Sequence, residues 1–437
     1  MTMQPHVRDT ICRKIARSLT EPRPSSPVAA CLLLLAVIAL PIMQACQLQD
    51  APDEPTPSKV DLQPADPPKG RAKASPDPAA PVSVTDGVKY YSSAIQIGDP
   101  IRQRFPADSK EHCFIRSIRA MVTHGDKVFV GSGDYWNNSG RTDLWALSDD
   151  AGILSWTLDY TVDDEMVDTF RIYDGILYVP GTDATEDWSF GNFYTRVGSS
   201  WTKYRTVPNA LHVVDIAKFK GDLYVHMWDQ KEDMIMRSAD QGVTWSRLTR
   251  KPIYGRLLGL EDMMLIFGET RRGSLHVYDG VSISKMNYDV FPGGSMAWPN
   301  PDRLVPFLGG AVYAAVDFAY AKVSAPLYFL DDFAAGPRQV GTFGKAGGLN
   351  VRDLQVVDGL LYVLSVRPDP ANIGQYLGAV DVTANLERWL RIADFSVPAP
   401  PYSFAILNEA IYVGLGADGW WFDNTAAASG SVWLLTE

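Results

Sequence analysis

Two groups of residues in this chain have the types and spacing to do chemistry. One is a set of arginines and aspartates, Arg119, Asp168, Asp215, Arg256, Arg303 and Arg352, each six or seven residues ahead of a recurring turn. Guanidinium and carboxylate groups brought together capture a small polar ligand through charge-assisted hydrogen bonds. They can equally pair with one another and close the space between them, because buried charges need partners in any case. The other group lies in loops that mix aromatics with amides and carboxylates: Trp136-Asn137, Asp187-Trp188 and Trp420-Trp421. A flat ring stacks on the C–H face of a sugar while planar polar groups take its hydroxyls; the same rings can also plug the end of a fold. Hydrolysis of a glycosidic bond needs two carboxyl groups about 5 to 9 Å apart. Asp168, Asp187 and Asp215 are the catalytic candidates, with Asp183 and Glu186 beside Asp187.

Other chemistries leave no trace. His112, His124, His212, His226 and His276 fit no H-E-x-x-H spacing, no C-x-x-C pair occurs, and no acidic loop has the glycine-centred calcium pattern, so neither metal nor cofactor is expected. There is no G-x-S-x-G elbow and no phosphate-binding loop. His212 reads as a satisfied surface histidine, and Asp163-Asp164-Glu165 as an exposed turn.

A repeat must position these groups. One short apolar phrase returns seven times, centred on Phe129, Tyr178, Tyr224, Ile266, Tyr313, Tyr362 and Tyr412, at intervals of 42 to 50 residues. Each copy follows a turn that often carries glycine, as in Asp174-Gly175 and Asp358-Gly359, and precedes a longer loop and two more alternating runs. This is the period of one four-stranded antiparallel blade, which buries its faces only against its neighbours. The fold expected is all-β, a seven-bladed β-propeller over residues 88–437, with the charged positions at one mouth of its channel and the aromatic loops on the same face. The last unit stops at Ser431-Val432-Trp433-Leu434-Leu435, one strand short, while Tyr90–Ile97 has no blade of its own. That N-terminal strand is expected to complete the last blade and close the ring.

One turn carries a resemblance. Ser238-Ala239-Asp240-Gln241-Gly242-Val243-Thr244-Trp245 resembles the Asp-box (BNR) repeat, and Ser148-Asp149-Asp150-Ala151-Gly152 with Ser155-Trp156 is a second, longer copy. The resemblance implies a turn tied down by Ser and Asp, a Trp packed between blades, and a sialidase-superfamily-like architecture. It implies no activity, since such turns occur in glycosidases, receptors and assembly factors alike. The sialidase catalytic set does not carry over: Phe170-Arg171-Ile172-Tyr173 lacks the proline of that family's F-R-I-P strand and lies in the second unit.

Ahead of the repeats, an apolar run over 28–40 follows Arg8, Arg13, Lys14, Arg17 and Arg23, the pattern of a secretory signal. It ends at Met43-Gln44-Ala45-Cys46, which resembles the bacterial lipoprotein processing box and implies lipidation at Cys46, with Gln47 compatible with an outer membrane. An uncleaved N-terminal anchor is the alternative. Residues 1–45 then form the signal peptide and 46–87 a proline-rich disordered spacer. Loss of the leader removes five basic and two acidic residues, taking the net charge from -11 to -14 and disfavouring nucleic acid as a partner. Of the cysteines at 12, 31, 46 and 113, only Cys113 would remain as a thiol, so no internal disulfide framework is expected.

The expectation is a lipid-anchored protein of the cell envelope, periplasmic or at the cell surface, that binds a glycan or small polar ligand at the channel mouth. A glycoside hydrolase or lyase using a carboxylate pair on that face is one alternative. A scaffold for an envelope protein partner is another.

Overall fold

The computed structural model describes residues 89–105, 113–134, 139–249, 252–253, 255–268, 274–292, 303–314, 326–343, 348–417 and 427–437. They form seven antiparallel sheets, one per expected unit, and the protein is an all-β, seven-bladed propeller. Blade 1 comprises Ala120–His124, Lys127–Gly131, Thr142–Asp150 and Ile153–Val162, and blades 2 to 6 repeat the order. Blade 3 departs from four strands. Its inner strand, His212–Phe219, also pairs with Thr182–Ala184, which pairs in turn with Asp164–Met166.

The recurring phrase is the second strand of every blade, and it is the most buried part: Val128, Phe129 and Val130 are fully buried, as are Val312 and Tyr313. Both sides of these strands meet neighbouring sheets, which explains why the phrase is apolar throughout rather than alternating. Phe129, Leu144 and Val162 of blade 1 pack with Leu177, Val179 and Tyr194 of blade 2 in one cluster. Burying each such side chain stabilises by roughly 1.5–3 kcal/mol, and only the ring supplies the second face.

Tryptophans at the outer strands of blades 2, 3 and 6 join each of these blades to the one before. Trp201 stacks on Tyr160 at 5.0 Å and donates to Asp159 Oδ2. Trp245 meets Phe193 edge-on and donates to Thr206 Oγ1, and Trp389 meets Phe343 edge-on. The turn before Trp245 is held by Asp240, which accepts from Ser238 Oγ, Thr244 N and Thr244 Oγ1, while Ser238 Oγ accepts from Gly242 N. Gly242 has a φ of +92°, and a Cβ there would strike Phe193.

Ring closure follows the expected route. Ser93–Gly98 pairs antiparallel with Val432–Thr436 as the outer strand of blade 7, with Ser93 opposite Thr436. The segment before it also touches blade 6: Tyr91 N donates to Ile392 O, and Asp394 N donates to Tyr91 O. One short segment therefore fastens blades 6 and 7.

Candidate functional site

All inner strands run the same way, so their first residues surround one mouth of the channel. Arg256 opens the inner strand of blade 4 and Arg303 that of blade 5; Asp215, Arg352 and Asp353 sit near the starts of blades 3 and 6. Arg119 and Asp168 lie just ahead of the inner strands of blades 1 and 2. The predicted ring therefore exists, and its charges reach between blades. Arg171 grips Asp215 with two parallel bonds, Nε to Oδ1 at 3.0 Å and Nη2 to Oδ2 at 2.9 Å. Arg256 donates to Asp168 Oδ2 at 3.2 Å, to Thr169 Oγ1 and to the carbonyl of Val214. Arg303 lies 3.3 Å from Asp353 and donates to the carbonyls of Arg119, Arg352 and Tyr402. Arg352 is placed over the ring of Tyr402, 5.2 Å from its centroid.

Mutual pairing is thus the observed state of Asp168, Asp215 and Asp353. Space remains between them, a cavity of about 110 Å³ lined by Asp168, Thr169, Arg171, Arg303, Asp353 and Gln355 among others. It is roomy enough for several waters or a small polar ligand. Burial raises the Asp168 carboxyl, but Arg256, Arg119 and Arg303 more than reverse this and hold it below the ordinary aspartate range. Burial wins at Asp353, which is pushed up to about 6 despite Arg303 and the backbone N–H groups of Phe404 and Leu354.

Asp187 and Trp188 lie in the loop ahead of the third strand of blade 2, on the same face as the channel mouth but at its outer edge, beside the end of the outer strand Ser200–Pro208. Asp187 is an exposed carboxylate held by Arg205 at 2.7 Å and by Ser189 N. Trp188 donates to the carbonyl of Ala184 and keeps 38% of its surface exposed; nearby in sequence, Phe190 keeps 41% and lies under the Arg205 guanidinium. Trp136, Asn137, Trp420, Trp421 and Cys46 lie outside the described residues.

One expectation is overturned. Asp164 and Glu165 are not an exposed turn; both are buried. Asp164 opens a short strand against Thr182–Ala184, and its Oδ2 accepts from Tyr194 Oη at 2.6 Å and Asn192 Nδ2 at 3.0 Å. Burial pushes its carboxyl up to about 7, with Tyr194, Asn192 and Lys203 opposing. Glu165 is likewise raised to about 7, by burial and then by the neighbouring Asp183, with Asp134 adding to the effect. His212 is half-buried, stacked on Trp228 at 5.1 Å, and desolvation pushes it down to about 4.

No family model matches this sequence, and no curated protein does. Solved structures with a similar chain course include the β-propeller domain of the Trilobed protease from Pyrococcus furiosus, at 11% identity and a TM-score of 0.43 over 68% of this chain and 90% of that one. YjhT is similar at 13% identity and a TM-score of 0.38, over 63% of this chain and 97% of its own. YCF48, solved bound to D1 peptide, is similar at 11% identity and a TM-score of 0.45, over 79% and 96%. These are likenesses of fold alone.

Three site residues escaped the sequence reading: Arg171, Gln355 and Glu165. Arg171 and Gln355 stand two places beyond Thr169 and Asp353, so the period of two along a strand marks them as sharing the channel side. Glu165 had no such signal, because what buries it comes from elsewhere in the chain.

Proposed function

We propose that this is an envelope propeller, tethered through lipidated Cys46 and the spacer over 46–87, that binds carbohydrate on the face where the inner strands begin. The observation that carries this reading is the half-exposed pair Trp188 and Phe190, set beside the planar polar groups of Arg205, Asp187 and Glu186. An aromatic surface left open next to fixed donors and acceptors is suited to a sugar ring. Trp136, Asn137, Trp420 and Trp421 extend the same proposal to the neighbouring loops. Arg119, Asp168, Asp215, Arg256, Arg303 and Arg352 would set the charge beneath the ligand rather than grasp it. Lys89, the first described residue, pairs with Glu409 at 3.4 Å, in a turn on the face opposite the proposed ligand site. Polysaccharide pull-down or glycan-array binding should be lost in Trp188→Ala/Phe190→Ala; unchanged binding sinks the reading.

A hydrolase or lyase on the same face is the second reading, favoured by Glu165 rather than by Asp168, Asp187 or Asp215. A carboxyl raised to about 7 still holds a proton at neutral pH and can pass it to a leaving oxygen. Asp168 and Asp215 are tied to arginines, and Asp187 is held below the ordinary range by Ser189, with Arg205 adding to it. This reading requires turnover of a glycan by the wild-type chain that disappears in Glu165→Gln while the fold is kept.

A further inference from the structure

The face opposite the proposed ligand site has its own pattern. In every complete blade the turn joining the first two strands and the turn joining the last two lie on this side, because Lys127 pairs with Ser148 and the other blades repeat that register. Four consecutive blades, 1 to 4, place an aliphatic side chain in the latter turn. Ile153 is 73% exposed, Val197 57%, Val243 61% and Val281 89%. None belongs to the hydrophobic clusters that hold the blades together. The inner end of this face is aliphatic too, with Ile172 and Val356 exposed. Between these inner and outer positions, the first turns carry the exposed carboxylates Asp126, Glu261, Asp262 and Asp358, while Asp174 and Glu409 are engaged by Lys218 and Lys89.

The turns are held in place from blade to blade. Lys220 Nζ donates to the carbonyl of Asp279, Tyr412 Oη to Asp149 Oδ2, and His124 Nε2 contacts the carbonyl of Gly175 at 2.9 Å. A surface fixed in advance loses little freedom on binding. Aliphatic tips in rigid turns gain nothing from water, while the surrounding carboxylates decide what can cover them. A second copy presents the same carboxylates and is repelled. An anionic lipid surface is repelled for the same reason. A cationic protein segment is attracted.

The geometry points to this face as the docking surface for a protein partner whose contacting segment carries lysine or arginine interspersed with aliphatic side chains. The carboxylates meet the cations, and Ile153, Val197, Val243 and Val281 supply the apolar contacts. This surface lies where the described chain begins, away from the carbohydrate face, so its occupation does not depend on that proposal.

The test uses the full chain in neutral detergent and a labelled peptide of about twelve alternating lysine and leucine residues, read by fluorescence anisotropy. Asp126→Lys/Glu261→Lys/Asp358→Lys should weaken binding about tenfold or more. Ile153→Ser/Val243→Ser/Val281→Ser should weaken it about fivefold, and Trp188→Ala should leave it unchanged. Thermal unfolding of the serine variant should match the parent, since the side chains project from the fold. The proposal is overturned if the lysine–leucine peptide does not bind, or if the serine variant binds it as tightly as the parent, which reduces the effect to bulk charge. It is overturned equally if phosphatidylglycerol vesicles recruit the parent and lose the serine variant, or if that variant melts early.

Discussion

Asp164 and Asp168 sit four residues apart, both withdrawn from water, yet their carboxyls are displaced in opposite directions. Asp168 faces Arg256 with Arg119 and Arg303 close by, and it is held below the ordinary aspartate range against the effect of burial. Asp164 is raised to about 7 because burial outweighs the neutral donors Tyr194 and Asn192 and the more distant Lys203. Glu165 shares that fate beside Asp183 and Asp134. A buried carboxyl is therefore not in itself a sign of chemistry; the balance of burial against counter-charge decides. Asp168 and Asp215 of the channel are braces between inner strands, Asp353 is raised to about 6 even beside Arg303, and Asp164 and Glu165 at the seam between blades 1 and 2 are raised further, to about 7.

The most damaging way to break this contrast is to remove a brace. Arg171→Met leaves Asp215 fully buried with only the backbone N–H groups of Ile216 and Leu257 as donors. Breaking a buried pair from one side costs about 3–5 kcal/mol, visible as a lower urea midpoint. Adding Asp215→Asn should recover part of that loss, because the stranded charge is gone. A single variant as stable as the parent would show that the pair braces nothing.

Next comes the pH dependence. Between the ordinary aspartate value of 3.8 and about 7, folded Asp164 keeps a proton that the unfolded chain has released. Stability therefore falls as pH rises through this window, by about 1.4 kcal/mol per unit for one such group, and levels off above it. Asp168 acts in reverse: its contribution is present above the ordinary value and is lost as pH falls through its lowered folded value. Asp164→Asn keeps the neutral shape and should be the more stable chain at pH 8, with the advantage vanishing near pH 4. Urea unfolding of both chains across that range measures the difference, and parallel profiles would refute the assignment.

The sequence made one side of this contrast far more legible than the other. Seven apolar phrases revealed the blades because the second strand is buried on both sides and cannot vary freely, and a last unit one strand short revealed how the ring closes. Counting back from the turns placed Asp168, Asp215, Arg256 and Arg303 at the channel mouth, since every blade shares one register. The partners were hidden: Arg171 and Asp215 are 44 positions apart and meet only because adjacent blades are in contact. Asp163-Asp164-Glu165 misled for a related reason. Three acids in a row have the composition of a solvated turn, and the groups that bury Asp164 lie on a strand about thirty residues later.

Tyr194→Phe sharpens the seam side by removing one donor. The hydroxyl gives a hydrogen bond to Asp164 and receives one from Asp163 N, and it is fully buried. Its loss should cost about 1–3 kcal/mol, more at pH 8, where the carboxylate most needs a donor, than at pH 5. Equal costs at the two pH values would mean that the bond does not sense the charge on Asp164.

The smallest effect concerns Lys203, a cation beside the seam. Lys203 pairs with Asp163 at 2.7 Å and Glu186 at 2.6 Å, partly open to solvent, and pulls the Asp164 carboxyl downward without touching it. Lys203→Met should cost less than about 1 kcal/mol, as exposed pairs do, and should raise the Asp164 midpoint by less than about one pH unit. Carbon-13 NMR of the Asp164 carboxyl can follow that midpoint directly. A shift upward would make the two carboxylates extremes of one scale, set by how near a cation stands. An unchanged or lowered midpoint would instead leave burial alone to account for Asp164, and the contrast with Asp168 would then be one of solvent access rather than of charge.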